Sequence, residues 1–525
     1  MSKKGKIILF SGIFILLLGI TWVIFRFFVH SPEAQLKSIP KYAAVVLKID
    51  VQALAVKADP LKLMNDPAFK NVPSGGKSSI RKLISDPFST GIDPLADVYG
   101  FVAREETSTV AAIVFKITDS GDFEKFERAL GIDGSLEAES GICYSEIDSS
   151  RCIAWNDHAG LIMSVMNGGD KKVFARKYLN QDKEESILAN EDYKTFSGKK
   201  SDMGLFFDNA ELAKLNSGDG LFFTNGFSGG HGELLLNFEN DRIATTFTNY
   251  PATKSNTVVL KKSGPQQAHF EAIAPTRPLL YFGISADMNS VLNSISNDPA
   301  VKDYLKTAEA MLGLKDTEMR KMFTGDISIA FTDYKDISTY DPRVGAEVDL
   351  MVKQSGGQMP REMFSLNAPM AYIDADVTDD ERMNTILHDL GFQKTEDFYA
   401  MPGIDFILYA VAKNGHLLLT NDYYAAEEMA VNGKFKTVVP EEISKNNPLS
   451  LWTDLNQQHF PSTLMETMRK NYNDATVDFF LRLIKPFHNI RMENKGDSAE
   501  ITVAVDPGQG NCLYRLITYY GNLAN

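Results

Sequence analysis

Asp374 and Asp376 are the pair whose spacing comes nearest to a ligand set, since two positions apart on a strand they share one face. Carboxylates so placed suit a hard cation such as calcium. Asp379, Asp380 and Glu381 follow, but they fall at the start of the next helix, where negative charge already complements the backbone dipole. No glycine-bearing calcium loop surrounds them, so the segment reads as a capped helix start and no metal ligand is assigned.

Other candidates fail on chemistry. Pro73-Ser74-Gly75-Gly76-Lys77-Ser78 has the look of a phosphate loop, yet Asn71 stands where that loop needs glycine and no strand feeds the segment. Ser79 with Lys82, and Ser197 with Lys200, have the serine-x-x-lysine spacing of acyl-serine enzymes. Acylation would need a desolvated amine beside the hydroxyl and partner motifs that the sequence lacks. A charged helix face and polar loops account for all three segments. The eight histidines form no HExxH, and His158, His231 and His416 sit in or beside turns. Residues 225–232, with four glycines beside Phe222, Phe223 and Phe227, read as a long hairpin loop that could offer a contact surface. The sequence therefore assigns no catalytic residue, no cofactor and no metal.

The elements carrying these residues repeat. Residues 111–131 and 371–391 align without a gap, with Ala111/Ala371, Ile113/Ile373, Thr118/Thr378, Asp119/Asp379, Leu130/Leu390 and Gly131/Gly391 identical. Each is an apolar run, then Thr-Asp, then a helix. The same grammar recurs at Asp50, Asp208, Asp287 and Asp454, where a carboxylate after an apolar run can cap a following helix. Asn65-Asp66-Pro67-Ala68 is matched by Asn297-Asp298-Pro299-Ala300, again a capped start with proline at the first helical position. Hairpin turns fall at Asp148 to Ser150, Pro402-Gly403 and Asn414-Gly415. The expected fold class is α+β: an N-terminal transmembrane helix, then two similar lobes of antiparallel or mixed sheets with helices packed on one face. The lobes are placed at residues 39–250 and 278–525, joined by a proline-punctuated linker over 251–277, with a polar spacer over 31–38.

At 525 residues the chain exceeds one ordinary core. Its 44% hydrophobic and 23% charged residues are globular values. A formal charge of -14 opposes a nucleic-acid partner, which requires a basic face. Lys3, Lys4 and Lys6 precede residues 7–25, which contain no ionisable side chain and run through Ile7, Leu16, Trp22 and Phe25. At about 1.5 Å per residue such a helix nearly spans a hydrocarbon layer of about 30 Å. The flanking lysines place the N-terminus in the cytoplasm and residues 31–525 outside it. Residues after Phe28 fit a signal-peptidase site poorly, so an uncleaved anchor is expected over residues 1–30. Three cysteines are too few for a disulfide framework, and a turn at Ser149-Ser150 would set Cys143 opposite Asn156 rather than Cys152. Free thiols are the expectation.

The anchor, the opening IPKYAAVVLKIDVQAL at residues 39–54 and the duplicated plan resemble an uncharacterised domain-of-unknown-function family of membrane-anchored or lipoprotein envelope proteins from Bacteroides-type bacteria. The resemblance covers the chain after residue 38. No lipid-accepting cysteine follows the apolar run, which departs from the lipoprotein members. The resemblance implies an envelope protein and supplies no activity. The expectation is thus a single-pass protein of the bacterial inner membrane whose periplasmic body binds or scaffolds. Its partners would be the bilayer through the N-terminal helix and an envelope protein, with any small-molecule ligand unnamed. The alternative is an envelope hydrolase whose site converges only in three dimensions.

Overall fold

The computed structural model describes residues 33–65, 86–129, 137–139, 141–215, 229–251, 260–261, 274–296, 316–356, 358–395, 397–403, 406–436, 443, 447–495 and 498–524. Two compact units emerge from the contacts, one comprising Met1–Asn237, Asn249–Ala252 and Gly521–Asn525, the other Phe238–Thr248 and Thr253–Tyr520.

In the first unit the strands are β1 (Val45–Ile49), β2 (Val98–Glu105), β3 (Ser108–Lys116), β4 (Glu137–Glu139), β5 (Ile142–Glu146), β6 (Arg151–Trp155), β7 (Ala159–Met166), β8 (Met203–Asp208) and β9 (His231–Phe238). They lie in the order β4-β5-β6-β7-β3-β2-β1-β8-β9, every pair antiparallel. The second unit contains β10 (Arg242–Tyr250), β11 (Leu280–Ser285), β12 (Phe323–Asp336), β13 (Asn367–Val377), β14 (Gln393–Lys394), β15 (Tyr399–Pro402), β16 (Ile407–Lys413), β17 (His416–Thr420), β18 (Leu449–Asp454), β19 (Phe487–Asn494) and β20 (Ser498–Val505). Their order is β14-β15-β16-β17-β13-β12-β11-β18-β19-β20-β10, again antiparallel throughout. Strand order from β1 to β9 is thus repeated from β11 to β19.

Three parts of the expected α+β architecture are corrected. Every strand pairing with a described register is antiparallel, so among the described residues the mixed-sheet option falls: the chain closes its strands by hairpins, and a helix that follows a strand does not return it to a parallel neighbour. The two lobes are not self-contained, because β10 precedes the expected linker yet pairs with β20 from Arg242↔Ala504 to Thr248↔Ser498. Helices also pack on both faces rather than one. In the first unit, Tyr178 and Phe196, from helices Lys171–Asn180 and Glu191–Ser197, join Tyr99, Phe101 and Ala154 on one face. Phe123 and Phe126, from helix Ser120–Ala129, join Phe115, Ile153 and Trp155 on the other. The same split recurs where helix Tyr423–Asn432 packs on Tyr409 and Leu418 while helix Asp380–Asp389 packs on Ala410 and Leu417. Consecutive buried residues such as Cys152 to Trp155 are the signature of a strand covered on both sides. Burying each large side chain there, Trp155 or Phe123, contributes about 1.5–3 kcal/mol before chain entropy is charged against it.

Among the described residues no helix is long and apolar enough to cross a membrane. The anchor expected through Ile7, Leu16, Trp22 and Phe25 lies outside the described residues, as do Asn71 to Lys82, Phe222 to Phe227 and the second Asn-Asp-Pro-Ala segment.

Helix caps follow the sequence. The carboxylates of Asp50, Asp119 and Asp379 accept from the backbone N–H groups of Ala53, Asp122 and Arg382 at 2.7, 2.8 and 2.9 Å. One glycine is required by packing: Gly325 has φ +95°, and a Cβ there would lie 2.0 Å from the Ala286 carbonyl oxygen. It occupies the register irregularity between Phe323 and Ile327 that leads β12 toward Asp326.

Candidate functional site

β13 and β17 build the one group of metal-ligating type among the described residues: Asp374, Asp376 and His416. The two aspartates share a face of β13 by the twofold repeat of a strand. β17 begins at His416 directly after the Asn414-Gly415 turn, and antiparallel register sets His416 opposite Asp376. His416 Nδ1 lies 3.3 Å from Asp374 Oδ2 and 3.1 Å from Asp376 Oδ1. Asp374 is fully buried, His416 nearly so, and the Asp376 side chain is 25% exposed, leaving the cluster open to solvent on that side. Burial alone would lower the imidazole pKa. The hydrogen bonds and charges of both carboxylates outweigh it and push His416 up to about 10.

This face of the sheet is polar beyond the cluster. Ser450 pairs with Gly283, Gly283 with Ser328, and Ser328 with Asp374, forming one lateral row across β18, β11, β12 and β13. Tyr281 folds its ring over Gly283, where a Cβ would come within 2.1 Å of its hydroxyl, and that hydroxyl lies 3.2 Å from Ser328 Oγ. In the next row Ser285 pairs with Asp326, whose Oδ2 accepts from Lys261 Nζ at 2.7 Å.

The first unit has a different solution at the matching place. Lys116 aligns with Asp376 and forms an ion pair with buried Asp93 at 3.1 Å, while Val114 aligns with Asp374. The cluster therefore belongs to the second unit alone.

Three other buried carboxylates are held by structural partners. Glu105 accepts from Tyr178 Oη at 2.7 Å and Lys177 Nζ at 2.8 Å, and from Tyr42. Asp422 accepts from Tyr372 Oη at 2.7 Å while capping helix Tyr423–Asn432, and Asp341 accepts from Tyr409 Oη at 2.6 Å. Burial first, then the neighbouring carboxylates, holds these phenols well above the usual tyrosine range, so they remain donors.

The serine-lysine segment at Ser197 is ordinary structure: Ser197 Oγ donates to the Lys194 carbonyl at 2.9 Å, and neighbouring Lys199 pairs with Glu233. His231 opens β9 and stacks between Phe206 and Tyr250, with ring centroids 5.5 and 4.5 Å away. Cys143, Cys152 and Cys512 form no disulfide, and Cys143 faces Trp155, one residue from the expected Asn156. His416 is the residue that sequence reasoning missed as a site member. Its hairpin turn and the two aspartates were each visible, but they lie on strands whose pairing is not local.

Among the described residues these features define an antiparallel sheet protein with helices on both faces and one Asp-Asp-His cluster in its second unit. It belongs to the family described as Domain of unknown function (DUF4836), whose model matches residues 37–340. No curated protein matches it. Among solved structures it is similar to crystal form I of TP0453, at 15% identity and a TM-score of 0.26, covering 42% of this chain and 79% of that one. Crystal form III of TP0453 gives 16% identity and a TM-score of 0.28, covering 42% and 81%.

Proposed function

We propose that the chain is a binding and scaffolding protein of the bacterial cell envelope, held at the inner membrane by residues 1–30 with its body on the periplasmic side, and that it engages an envelope protein partner. One observation carries the binding role. Ile113 on β3 is 49% exposed and its repeat counterpart Ile373 on β13 is 41% exposed, although both sit in the middle of central strands. Around Ile113, Ile162 at 40% and Met166 at 47% extend the apolar surface along β7. A helix covers this face near Phe115 and Trp155, while Ile113 and Ile162 remain exposed. Exposed apolar side chains on a sheet face suit association with a protein, whereas catalysis calls for convergent groups in a concave site. The apolar, unionisable sequence at residues 7–25 supports the membrane setting, and family membership is compatible with it.

The test is a photo-crosslinking residue at position 162 of the full-length chain, illuminated in intact membranes. A discrete protein adduct that disappears when Ile113→Glu is added supports the role; adducts to lipid alone, or none, contradict it.

A further inference from the structure

Asp374, Asp376 and His416 have the geometry of a three-ligand face for a cation, and we propose that they bind one divalent transition-metal ion, with zinc and manganese the best-suited types. A cation holding carboxylate oxygen and imidazole nitrogen at about 2.0–2.2 Å sets neighbouring ligand atoms about 3.0–3.5 Å apart. The two observed separations from His416 Nδ1, 3.3 and 3.1 Å, lie in that interval, and all three ligand atoms fall within 4.8 Å of one another. A metal midway between them replaces the shared imidazole proton with little movement. One nitrogen and two carboxylates suit borderline cations; calcium prefers six to eight oxygens and gains nothing from an imidazole.

The supporting scaffold is rigid. Both aspartates project from a strand paired on each side, and His416 projects from the neighbouring strand, so the ligands are placed by sheet register rather than by a loop. Burial adds a second argument. Once the imidazole gives up its proton to make room for the ion, the two carboxylates and the neutral ring present two negative charges in a largely buried position, which a divalent ion matches.

The same face of the sheet carries further buried polar atoms at a distance from the cluster. Ser285 and Ser450 are 0% and 4% exposed, and their hydroxyl oxygens have no hydrogen-bond partner, nor does Asp326 Oδ1. Buried polar atoms without partners are few in folded proteins, and each calls for a missing water, ion or ligand. Ser450 lies three strands from Asp374 in the same lateral row, and Ser285 and Asp326 lie in the next row on β11 and β12, so these atoms extend the polar face without touching the cluster. The metal would sit between β13 and β17, with Asp376 on the solvent side as the route of entry. The first unit, with Lys116 and Val114 at the matching positions and Lys116 paired with Asp93, has no equivalent ligand set.

Calorimetric titration of the full-length, chelator-stripped protein in detergent with zinc chloride and with manganese chloride tests the site. The expected result is saturable binding of about one ion per chain, with Asp376→Asn and His416→Gln each weakening it at least about tenfold, as loss of even a supporting contact at a metal site does. Calcium chloride should bind at least about tenfold more weakly than zinc. Wild-type protein that shows no saturable zinc or manganese binding overturns the proposal, as do correctly folded variants that bind as tightly as wild type. Should either variant fail to fold, cobalt titration of the unmutated chain decides: visible d–d bands that zinc abolishes support the site, and a spectrum of cobalt in water alone overturns it.

Discussion

Ile113 and Ile162 lie directly opposite each other on β3 and β7, and both remain 40% or more exposed on the second face of the sheet. Being exposed, they contribute little to the core, so replacing either by glutamate should change stability by about 0.5 kcal/mol or less. Thermal melting of Ile113→Glu and Ile162→Glu checks this. A shift of more than a few degrees would show that the face is packed rather than offered.

Tyr178 is expected to behave in the opposite way. Its hydroxyl satisfies Glu105, which is 8% exposed, and Tyr178→Phe leaves that carboxylate with fewer donors. The expected loss is about 1–3 kcal/mol by urea unfolding. Tyr372→Phe, which deprives Asp422, should fall in the same range and allows the two units to be compared.

Acid sensitivity should depend on Asp336. Burial alone would raise its pKa, but hydrogen bonds from Ser338, Ser365 and the Leu366 backbone outweigh this and hold it below the ordinary carboxylate value. A folded-state pKa below the unfolded value of about 3.9 means the stabilisation is fully present well above that value and is lost as pH falls through the depressed one. Wild type should therefore lose more stability than Asp336→Asn between about pH 5 and about pH 2, and equal losses in urea titrations would refute the assignment.

Deleting residues 1–30 should release the body from the membrane fraction as a folded, soluble protein. Circular dichroism and sedimentation measure both properties. A truncated chain that aggregates or stays with membranes would show that residues 31–525 are not an independent ectodomain.

Local features were legible in the sequence, and features set by distant pairing were not. Asp50, Asp119 and Asp379 announced their helix starts because a cap needs only its own next three residues. The shared face of Asp374 and Asp376 followed from strand period alone. His416 joins them only because β13 pairs with β17, and it lies 42 positions from Asp374, a separation that no periodicity encodes. The expectation of helices on one face failed for a related reason. Ile153 and Trp155 alternate with Cys152 and Ala154, all apolar, so the run marks two-sided burial without saying which helix covers which side. The exposure of Ile113 was equally hidden, since its apolar neighbours in β3 give it the appearance of core.

The most direct test of the binding role is the yield of protein adduct from a photo-crosslinker at position 162 in intact membranes, compared with and without Ile113→Glu. The account predicts one discrete adduct that the glutamate removes while thermal stability is kept. An adduct unchanged by Ile113→Glu, adducts to lipid alone, or no adduct would contradict it.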